Sequence, residues 1–280
     1  MLSSKRSANR ARRGAYLLAA LLALGLLGTG AAAGINSADD LQFTKVQLVG
    51  ANQLELSPGP ENALKYRGEE RDLEPPPYTL EGNTLRLGVT ADGREARDIQ
   101  FKLVVSRLEE LAVVGPGEAF VRPLKAGDLV ISLDGSGAIR LHDISASTLE
   151  LQLVGSGDLQ AARVESPQTR LQVNGSGDLQ LGALQADLLK VHLAGSGDIS
   201  IDEDSAAQTL QVRLLGSGDV ALERLTAEDA NVTIMGSGDV KVRVLRQLEA
   251  ELMGSGDLLY SGNPAVSKSS LGSGDIRQLD

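Results

Sequence analysis

The chain contains no cysteine and no tryptophan, and it has only three phenylalanines and four tyrosines among its 280 residues. Without cysteine, neither a disulfide framework nor a thiolate metal site can form, and a lipid-modified N-terminal cysteine is excluded. Without tryptophan, there is no indole ring on which a sugar could stack. The apolar content is therefore mostly aliphatic, and this composition suits a core of uniform stacked layers.

The first 33 residues have the composition of an export signal. An apolar run from Leu17 to Leu27 follows a basic start without acids, and Ala31 and Ala33 form an A-x-A arrangement before Gly34. We interpret residues 1–33 as a signal peptide, with an uncleaved inner-membrane anchor as the alternative. Either leader predicts an exported protein of the periplasm, cell surface or extracellular space, with no membrane span once a signal is cleaved. The cations of this leader are Lys5, Arg6, Arg10, Arg12 and Arg13.

The rest of the chain is strongly acidic. The formal net charge of the full sequence is −10, and removal of the five leader cations leaves 22 basic and 37 acidic side chains, a net charge of −15. Such a balance argues against nucleic acid and anionic lipid as ligands of the mature protein.

One tetrapeptide, Gly-Ser-Gly-Asp, recurs along the second half of the chain. Counted from a Gly-Ser-Gly-Ala variant at Gly135, the spacings are 20, 20, 20, 21, 20, 18 and 18 residues. A period near 20 residues indicates a solenoid, in which each repeat is one coil that cannot bury its apolar face alone. The repeats begin at Gly155, Gly175, Gly195, Gly216, Gly236, Gly254 and Gly272.

Apolar and polar residues alternate on both sides of each turn, which is a strand signature rather than a helical one. Counted from the first glycine, positions −4, −2, +4 and +6 are aliphatic in most repeats, as in Leu151, Leu153, Leu159 and Ala161. The pattern predicts an all-β fold, a single-stranded right-handed parallel β-helix with coils of about 20 residues and regular coils over residues 111–280. We expect position +9 to face inward from a third side, where it is occupied by Val164, Leu184, Leu225 and Leu245.

The turn residues suit a sharp corner. Glycine adopts positive φ and allows close approach of another backbone, while Ser and Asp side chains at bends accept backbone N–H bonds. Stacked coils would align the aspartates into a column that we call the Asp ladder, in which repulsion must be offset by corner N–H groups, water or a hard cation such as Ca²⁺. We favour structural capping, with a Ca²⁺ ladder as the alternative. The column comprises Asp158, Asp178, Asp198, Asp219, Asp239, Asp257 and Asp275.

Two segments before the regular repeats, FTKVQLVGANQLEL (residues 43–56) and YTLEGNTLRLGV (78–89), accompany the GSGD turns. Together they resemble the auto-transporter adhesin head GIN domain, a bacterial envelope family of unknown function, over residues 41–280. We therefore divide the chain into the leader and a single GIN-type domain over residues 34–280. The resemblance implies a pectin-lyase-like β-helix without catalytic residues, and a role in adhesion. The chain departs from it at the acid-free corner 135–138 and at the loop 75–77.

No catalytic site is expected. Neighbouring carboxylates could approach the separation used by retaining glycosidases, but identical rungs lack the two different environments that such a pair needs. His142 and His192 lie 50 residues apart on positions that face outward or lie in loops. These features predict a protein that is not an enzyme, has no cofactor and has no catalytic residues.

Two further features were open to more than one interpretation. The charged stretch 61–74 is interpreted as a solvated connection, with a ligand loop as the alternative. Position −1 becomes apolar toward the C-terminus, and we expect the corner to turn these side chains inward, with an exposed ridge as the alternative. This position is occupied by Asp134, Val154, Asn174, Ala194, Leu215, Met235, Met253 and Leu271.

The final repeat carries polar residues at inward positions, with Lys268, Ser270 and Gln278 in place of aliphatic side chains and Ala250 one coil earlier. This predicts a polar cap on the end of the stack. The whole pattern favours an exported, non-catalytic module that binds an envelope or extracellular macromolecule, either protein or glycan, with adhesion as the leading function. A structural or envelope-stress scaffold that self-associates is the alternative, and a polysaccharide-active enzyme is the third.

Overall fold

The computed structural model describes residues 33–39 and 41–279. Apart from Ala33, the predicted leader lies outside these residues. Within them, no helix is long and apolar enough to cross a membrane. The described chain is nearly all β-structure, with one short helix, α1 (Glu70–Leu73). The strands are β1 (Ala33–Asp39), β2 (Lys45–Val49), β3 (Gln53–Pro58), β4 (Ala63–Glu69), β5 (Tyr78–Glu81), β6 (Thr84–Leu87), β7 (Gln100–Val105), β8 (Glu110–Val114), β9 (Glu118–Val121), β10 (Leu124–Lys125), β11 (Asp128–Gly135), β12 (Ala138–Ser145), β13 (Thr148–Gly155), β14 (Asp158–Glu165), β15 (Gln168–Gly175), β16 (Asp178–Gly195), β17 (Ile199–Ile201), β18 (Ser205–Gly216), β19 (Val220–Gly236), β20 (Val240–Gly254), β21 (Leu258–Ser261), β22 (Ala265–Gly272) and β23 (Ile276–Gln278).

These strands form a parallel β-helix of about eight turns, as the repeat predicted. Strands that precede the corners form one wall, wall A, in which β13 pairs in parallel with β11 and β15. Strands that follow the corners form a second wall, wall B, in which β14 pairs in parallel with β12 and β16. Each pairing keeps equivalent repeat positions opposite one another, so that Leu151 lies between Ile131 and Leu171.

The core consists of aliphatic columns that run the length of the helix. Positions −4 and −2 of wall A and +4 and +6 of wall B are buried through the regular coils, for example Leu153, Val173 and Ile199. Burial of each such side chain stabilises the fold by about 1.5–3 kcal/mol. The columns are therefore continuous and dry, and the functional surface lies on the outside of the walls.

The expectation for position +9 is confirmed at Val164, Leu184 and Leu225, which are buried, and is wrong at Leu245, which is 43% exposed. The coil that contains Leu245 is shorter by two residues, and the pairing of β19 with β20 shifts register after Leu222. Because of that shift, Val244 takes the inward place and is fully buried.

Each corner is held by backbone hydrogen bonds to the preceding coil. The carbonyl of Gly175 accepts the N–H groups of Ser196 at 2.9 Å and Gly197 at 3.2 Å, and the same pattern recurs along the stack. Gly195 has a φ of +138°, and a Cβ built on it would lie 2.0 Å from the Gly175 oxygen. A Cβ on Gly197 would lie 2.0 Å from the Gly177 oxygen, so close approach alone requires glycine there.

The N-terminal coils do not stack in chain order. β2 pairs with β6 on one side and with β8 on the other, and β3 likewise lies between β7 and β9. The coil of residues 84–105 therefore forms the end of the stack, and residues 45–58 form the second layer. The buried Asn52 joins these layers, because its side chain donates to the Val49 and Ala96 carbonyls and accepts the Ile99 N–H.

Antiparallel strands extend the N-terminal end of the stack. β4 pairs antiparallel with β7 and with β1, and β5 forms an antiparallel pair with β6. The interpretation of residues 61–74 as a solvated connection holds for its charged side chains, nearly all of which are exposed, but it is wrong for the backbone, which forms β4 and α1. Leu64 and Tyr66 of β4 and Leu73 of α1 are buried, because this segment packs on the end of the core.

Polar side chains reach across the C-terminal end, as predicted. Lys268 Nζ donates to the Ile276 carbonyl at 3.1 Å, Ser270 Oγ to the Gly274 carbonyl at 3.3 Å, and Gln278 Nε2 to the Gly262 carbonyl at 2.6 Å. Every residue of β22 is exposed. The last coil therefore ends in polar side chains that hydrogen-bond to nearby backbone carbonyls, and not in aliphatic side chains.

The corner geometry predicts the effect of a single methyl group. We expect Gly195→Ala and Gly197→Ala each to lower the free energy of unfolding by at least about 1–3 kcal/mol, because the Cβ would collide with a carbonyl of the coil below. Gly127→Ala is the matched control, since a Cβ there meets no atom within 4 Å. Thermal melting of the three variants tests this, and three equal melting temperatures would contradict the role of the close approach.

The cap predicts the effect of apolar substitutions on the last rung. We expect Lys268→Val combined with Ser270→Val to cause concentration-dependent association, because an apolar end exposes an unpaired edge to a second molecule. The matched control is Ser267→Val with Ser269→Val, which adds the same apolar groups to the outer face of the same strand. Sedimentation velocity measures association, and a monodisperse cap variant would show that these residues do not guard the edge.

Candidate functional site

The Asp ladder lies along the outer start of wall B. Asp158 pairs with Asp178, and Asp198 and the later members continue the column at one residue per coil. Adjacent coils place neighbouring members about 4.8 Å apart. Most members are exposed, while Asp239 and Asp257 are half-buried.

Most of the Asp side chains accept a corner N–H group. Asp178 Oδ1 accepts the N–H of Asp198 at 3.0 Å, and Asp198 Oδ1 accepts that of Asp219 at 2.9 Å. The same bond recurs at 2.8, 2.8 and 2.9 Å through the last three coils. Asp158 differs, because the Asp178 N–H donates instead to the Gly157 carbonyl at 3.2 Å.

The corner serines act differently from the expectation. Their N–H groups are satisfied by glycine carbonyls of the coil below, as in Ser196 and Ser217, and their side chains are exposed. The hydroxyl groups are therefore not the acceptors that satisfy the corner amides. Asp supplies that acceptor, and only from Asp178 onward.

The structure also bears on the metal and catalytic interpretations. Among the described residues, no group of three or more His, Asp or Glu side chains is arranged to hold a metal ion. One ladder carboxylate, that of Asp257, also pairs with Arg277 at 3.0 Å. His142 lies on wall B beside Asp143 at 3.2 Å and His192 lies on wall A, so the fold does not bring the two imidazoles together.

The outer face of wall A carries a cluster of cations, which we call the basic patch. It consists of Arg170, Lys190, His192 and Arg213 on β15, β16 and β18. Register places Arg170 beside Lys190, and His192 beside Arg213. A groove of about 630 Å³ runs over these side chains.

The cations of the basic patch are poorly neutralised. Within the described part of the chain, Lys190 and Arg213 form no ion pair, and Arg170 has a single 3.8 Å contact with Glu150. Burial, and then the charges of Arg213 and Arg170, lower the pKa of His192 below its usual value. Several cations elsewhere are closely paired, as Lys45 is with Glu110 at 2.8 Å.

Sequence reasoning missed this patch. The alternation had placed His192 and Arg213 on the outer face, but as single polar residues between buried ones. Comparison of equivalent positions in successive repeats could have found it, because positions −5 and −3 carry Arg170, Lys190, His192 and Arg213 within three coils.

The expectation that position −1 faces inward is wrong. Val154 is 44% exposed and Leu271 is 73% exposed, and Leu215, Met235 and Met253 are half-buried on the outside of wall A. Strict alternation continues up to the corner glycine, so the side chain before it points outward. The last four members of this column form an apolar ridge along the C-terminal half.

The hydrogen bonds of the Asp ladder predict different effects at two equivalent corners. We expect Asp198→Ala to lower the free energy of unfolding by about 1 kcal/mol or more, because the Asp219 N–H loses its acceptor. Asp198→Asn keeps an acceptor oxygen and should be mild. Asp158→Ala is the matched control, because no corner N–H depends on that side chain.

Thermal melting with and without Ca²⁺ separates the two roles of the ladder. If the ladder only caps backbone N–H groups, Asp198→Ala should have a lower melting temperature than Asp198→Asn and Asp158→Ala at every Ca²⁺ concentration. A saturable rise in melting temperature with Ca²⁺ in the parent, absent from Asp198→Asn, would favour a metal ladder instead.

Comparison with solved structures shows the same fold in proteins of low sequence identity. A "putative lipid binding protein" of Parabacteroides distasonis matches with a TM-score of 0.69 and 22% identity, over 90% of this chain and 98% of the other. A "putative adhesin" of Parabacteroides merdae matches with a TM-score of 0.69 and 18% identity, over 90% and 98%. Another "putative adhesin" of P. distasonis matches with 0.69 and 17%, over 89% and 98%.

No curated protein matches the chain. A family model does match, over residues 42–206 and again over 160–264, and its description is "Putative auto-transporter adhesin, head GIN domain". The two matches together span most of the chain, from the first strand of the second layer to the penultimate corner. The chain therefore belongs to the auto-transporter adhesin head GIN domain family.

Proposed function

We propose that this protein is an exported, non-catalytic binding module of the bacterial cell envelope that attaches to an extracellular or envelope macromolecule. The observation that carries the proposal is the poorly neutralised basic patch in an open groove on wall A, on a chain whose net charge is −10. Export is supported by the composition of residues 1–33, and family membership supports adhesion as the form of attachment.

The architecture of the site supports binding rather than turnover. Side chains on the walls lie at the regular spacing of the coils, which gives an open and repetitive groove instead of a closed pocket with convergent catalytic groups. From Asp178 to Asp257 the ladder members accept the same corner N–H bond in successive coils, so neighbouring members are not arranged as an acid beside a differently placed ionised partner.

Lateral self-association as a scaffold is the second candidate. It is favoured by the apolar ridge of Leu215, Met235, Met253 and Leu271 on the outside of wall A. Apolar side chains in one exposed row are typical of interaction surfaces. Because the polar cap covers the end of the stack, self-association would take place through the apolar ridge on the outside of wall A.

The test is a binding panel with the purified protein and immobilised polysaccharides, mucins and extracellular matrix proteins, measured by biolayer interferometry. We expect saturable, reversible binding to at least one macromolecule, with the ligand recovered intact. Sedimentation velocity of the same sample tests the second candidate. Self-association without any binding would contradict the proposal in favour of a scaffold, and release of new reducing ends from a glycan would show an enzyme.

A further inference from the structure

The basic patch is formed by register and not by sequence proximity. Arg170 and Lys190 are neighbours at position −5, and His192 and Arg213 are neighbours at position −3. Coils lie about 4.8 Å apart and the two positions about 7 Å apart along a strand. Four basic groups therefore occupy a small area on three consecutive rungs, with fixed spacing.

This clustering is unfavourable for the protein alone. Unit charges separated by one rung repel by about 1 kcal/mol in water. The acids nearest in the repeat pattern, Glu150 on the N-terminal side and Glu249 and Glu251 on the C-terminal side, belong to other coils. Burial, and after it the charges of Arg213 and Arg170, lower the pKa of His192. An anionic ligand would relieve the repulsion among the cations.

The groove supplies neutral hydrogen-bonding groups beside the cations. Gln172, Gln211, Asn231 and Thr233 line it together with the basic patch. Amides and hydroxyls both donate and accept, which suits a ligand that carries many hydroxyl groups. Arg170 and Lys190 also line a second groove of about 510 Å³, so the two grooves share these residues.

The surroundings of the patch narrow the class of anion. None of the side chains that line the groove is Phe, Tyr or Trp, so the imidazole of His192 is the single aromatic ring there on which a nucleic-acid base could stack. Glu150, Glu249 and Glu251 border the patch along the coil axis, and they would repel a densely charged polymer or a membrane surface that extends beyond it. A chain with spaced charges and many hydroxyls fits these limits.

We propose that the basic patch binds a short segment of a linear acidic polysaccharide, with the anionic groups on Arg170, Lys190 and Arg213 and the sugar hydroxyls on the neighbouring amides. The proposal rests on the proposed binding function and names its ligand class. Carboxylate and sulfate groups share the required chemistry, since guanidinium binds both through charge-assisted hydrogen bonds.

The experiment is isothermal titration of the purified protein with oligogalacturonate, κ-carrageenan oligosaccharide (one sulfate per disaccharide and no carboxylate) and neutral dextran oligosaccharide. We expect binding of an acidic oligosaccharide, weaker at high salt, and none of dextran. The triple variant Arg170→Gln, Lys190→Gln, Arg213→Gln should weaken binding at least about tenfold, since each contact is charge-assisted. The two acidic probes distinguish carboxylate from sulfate recognition.

A second triple variant, Arg140→Gln, Arg224→Gln, Lys241→Gln, is the matched control. It removes the same total charge from positions off the outer face of wall A and should bind as the parent does. Equal losses in both variants would mean unspecific attraction and would overturn the site. All six positions face solvent or are half-buried, and the melting temperature of each variant checks its fold.

Titrations with other classes of ligand show which results would overturn the proposal. Tighter binding of single-stranded DNA, or of vesicles with anionic lipid, than of either acidic oligosaccharide would overturn the ligand class. If the protein binds no acidic glycan but does bind another macromolecule of the panel, this inference fails while the proposed function stands. If it binds no member of the panel and no acidic glycan, both fail.

Discussion

The structure depends on how closely the backbone of one coil approaches that of the next at the corners. One glycine carbonyl accepts two N–H groups from the coil above, and this is geometrically feasible only where no Cβ stands between them. The contact fixes both the place of the bend and the alignment of the coils. The continuous apolar columns and the in-register walls follow from that alignment, since a slip of one residue would turn each column outward.

The same alignment determines what the surface can present. A residue in one repeat meets the residues at the same position one repeat earlier and later, so outer side chains form columns along the stack. The Asp ladder, the basic patch and the apolar ridge are three such columns or pairs of columns. Each combines residues about 20 positions apart. The Asp ladder caps backbone N–H groups, and we propose anion binding for the basic patch and contact with an apolar partner surface for the apolar ridge.

The regular coils could be predicted from the sequence because their determinants are local and repeated. Glycine pairs and two-residue alternation specified the corners, the walls and nearly the whole core. Leu245 was misplaced because the pairing shift after Leu222 depends on the neighbouring coil, and the ridge was misplaced because the corner was assumed to rotate the residue before it. The layering of β2 between β6 and β8 leaves no periodic signal, because its partners belong to segments of different length and composition. The basic patch escaped notice because its charges are single within each repeat.

The interleaved first layers affect how the β-helix folds while the chain is synthesised from its N-terminus. The Lys45–Glu110 contact spans 65 residues, whereas later coils contact neighbours about one repeat away. β2 and β3 consequently keep one open edge until β6 and β7 are available, and the other until β8 and β9 are. Closing the Lys45–Glu110 contact costs about 1 kcal/mol more loop entropy than closing one repeat, and we expect it to form more slowly. Each later coil can pair with an edge strand that is already in place. The remaining coils can therefore be added one at a time as the chain is synthesised.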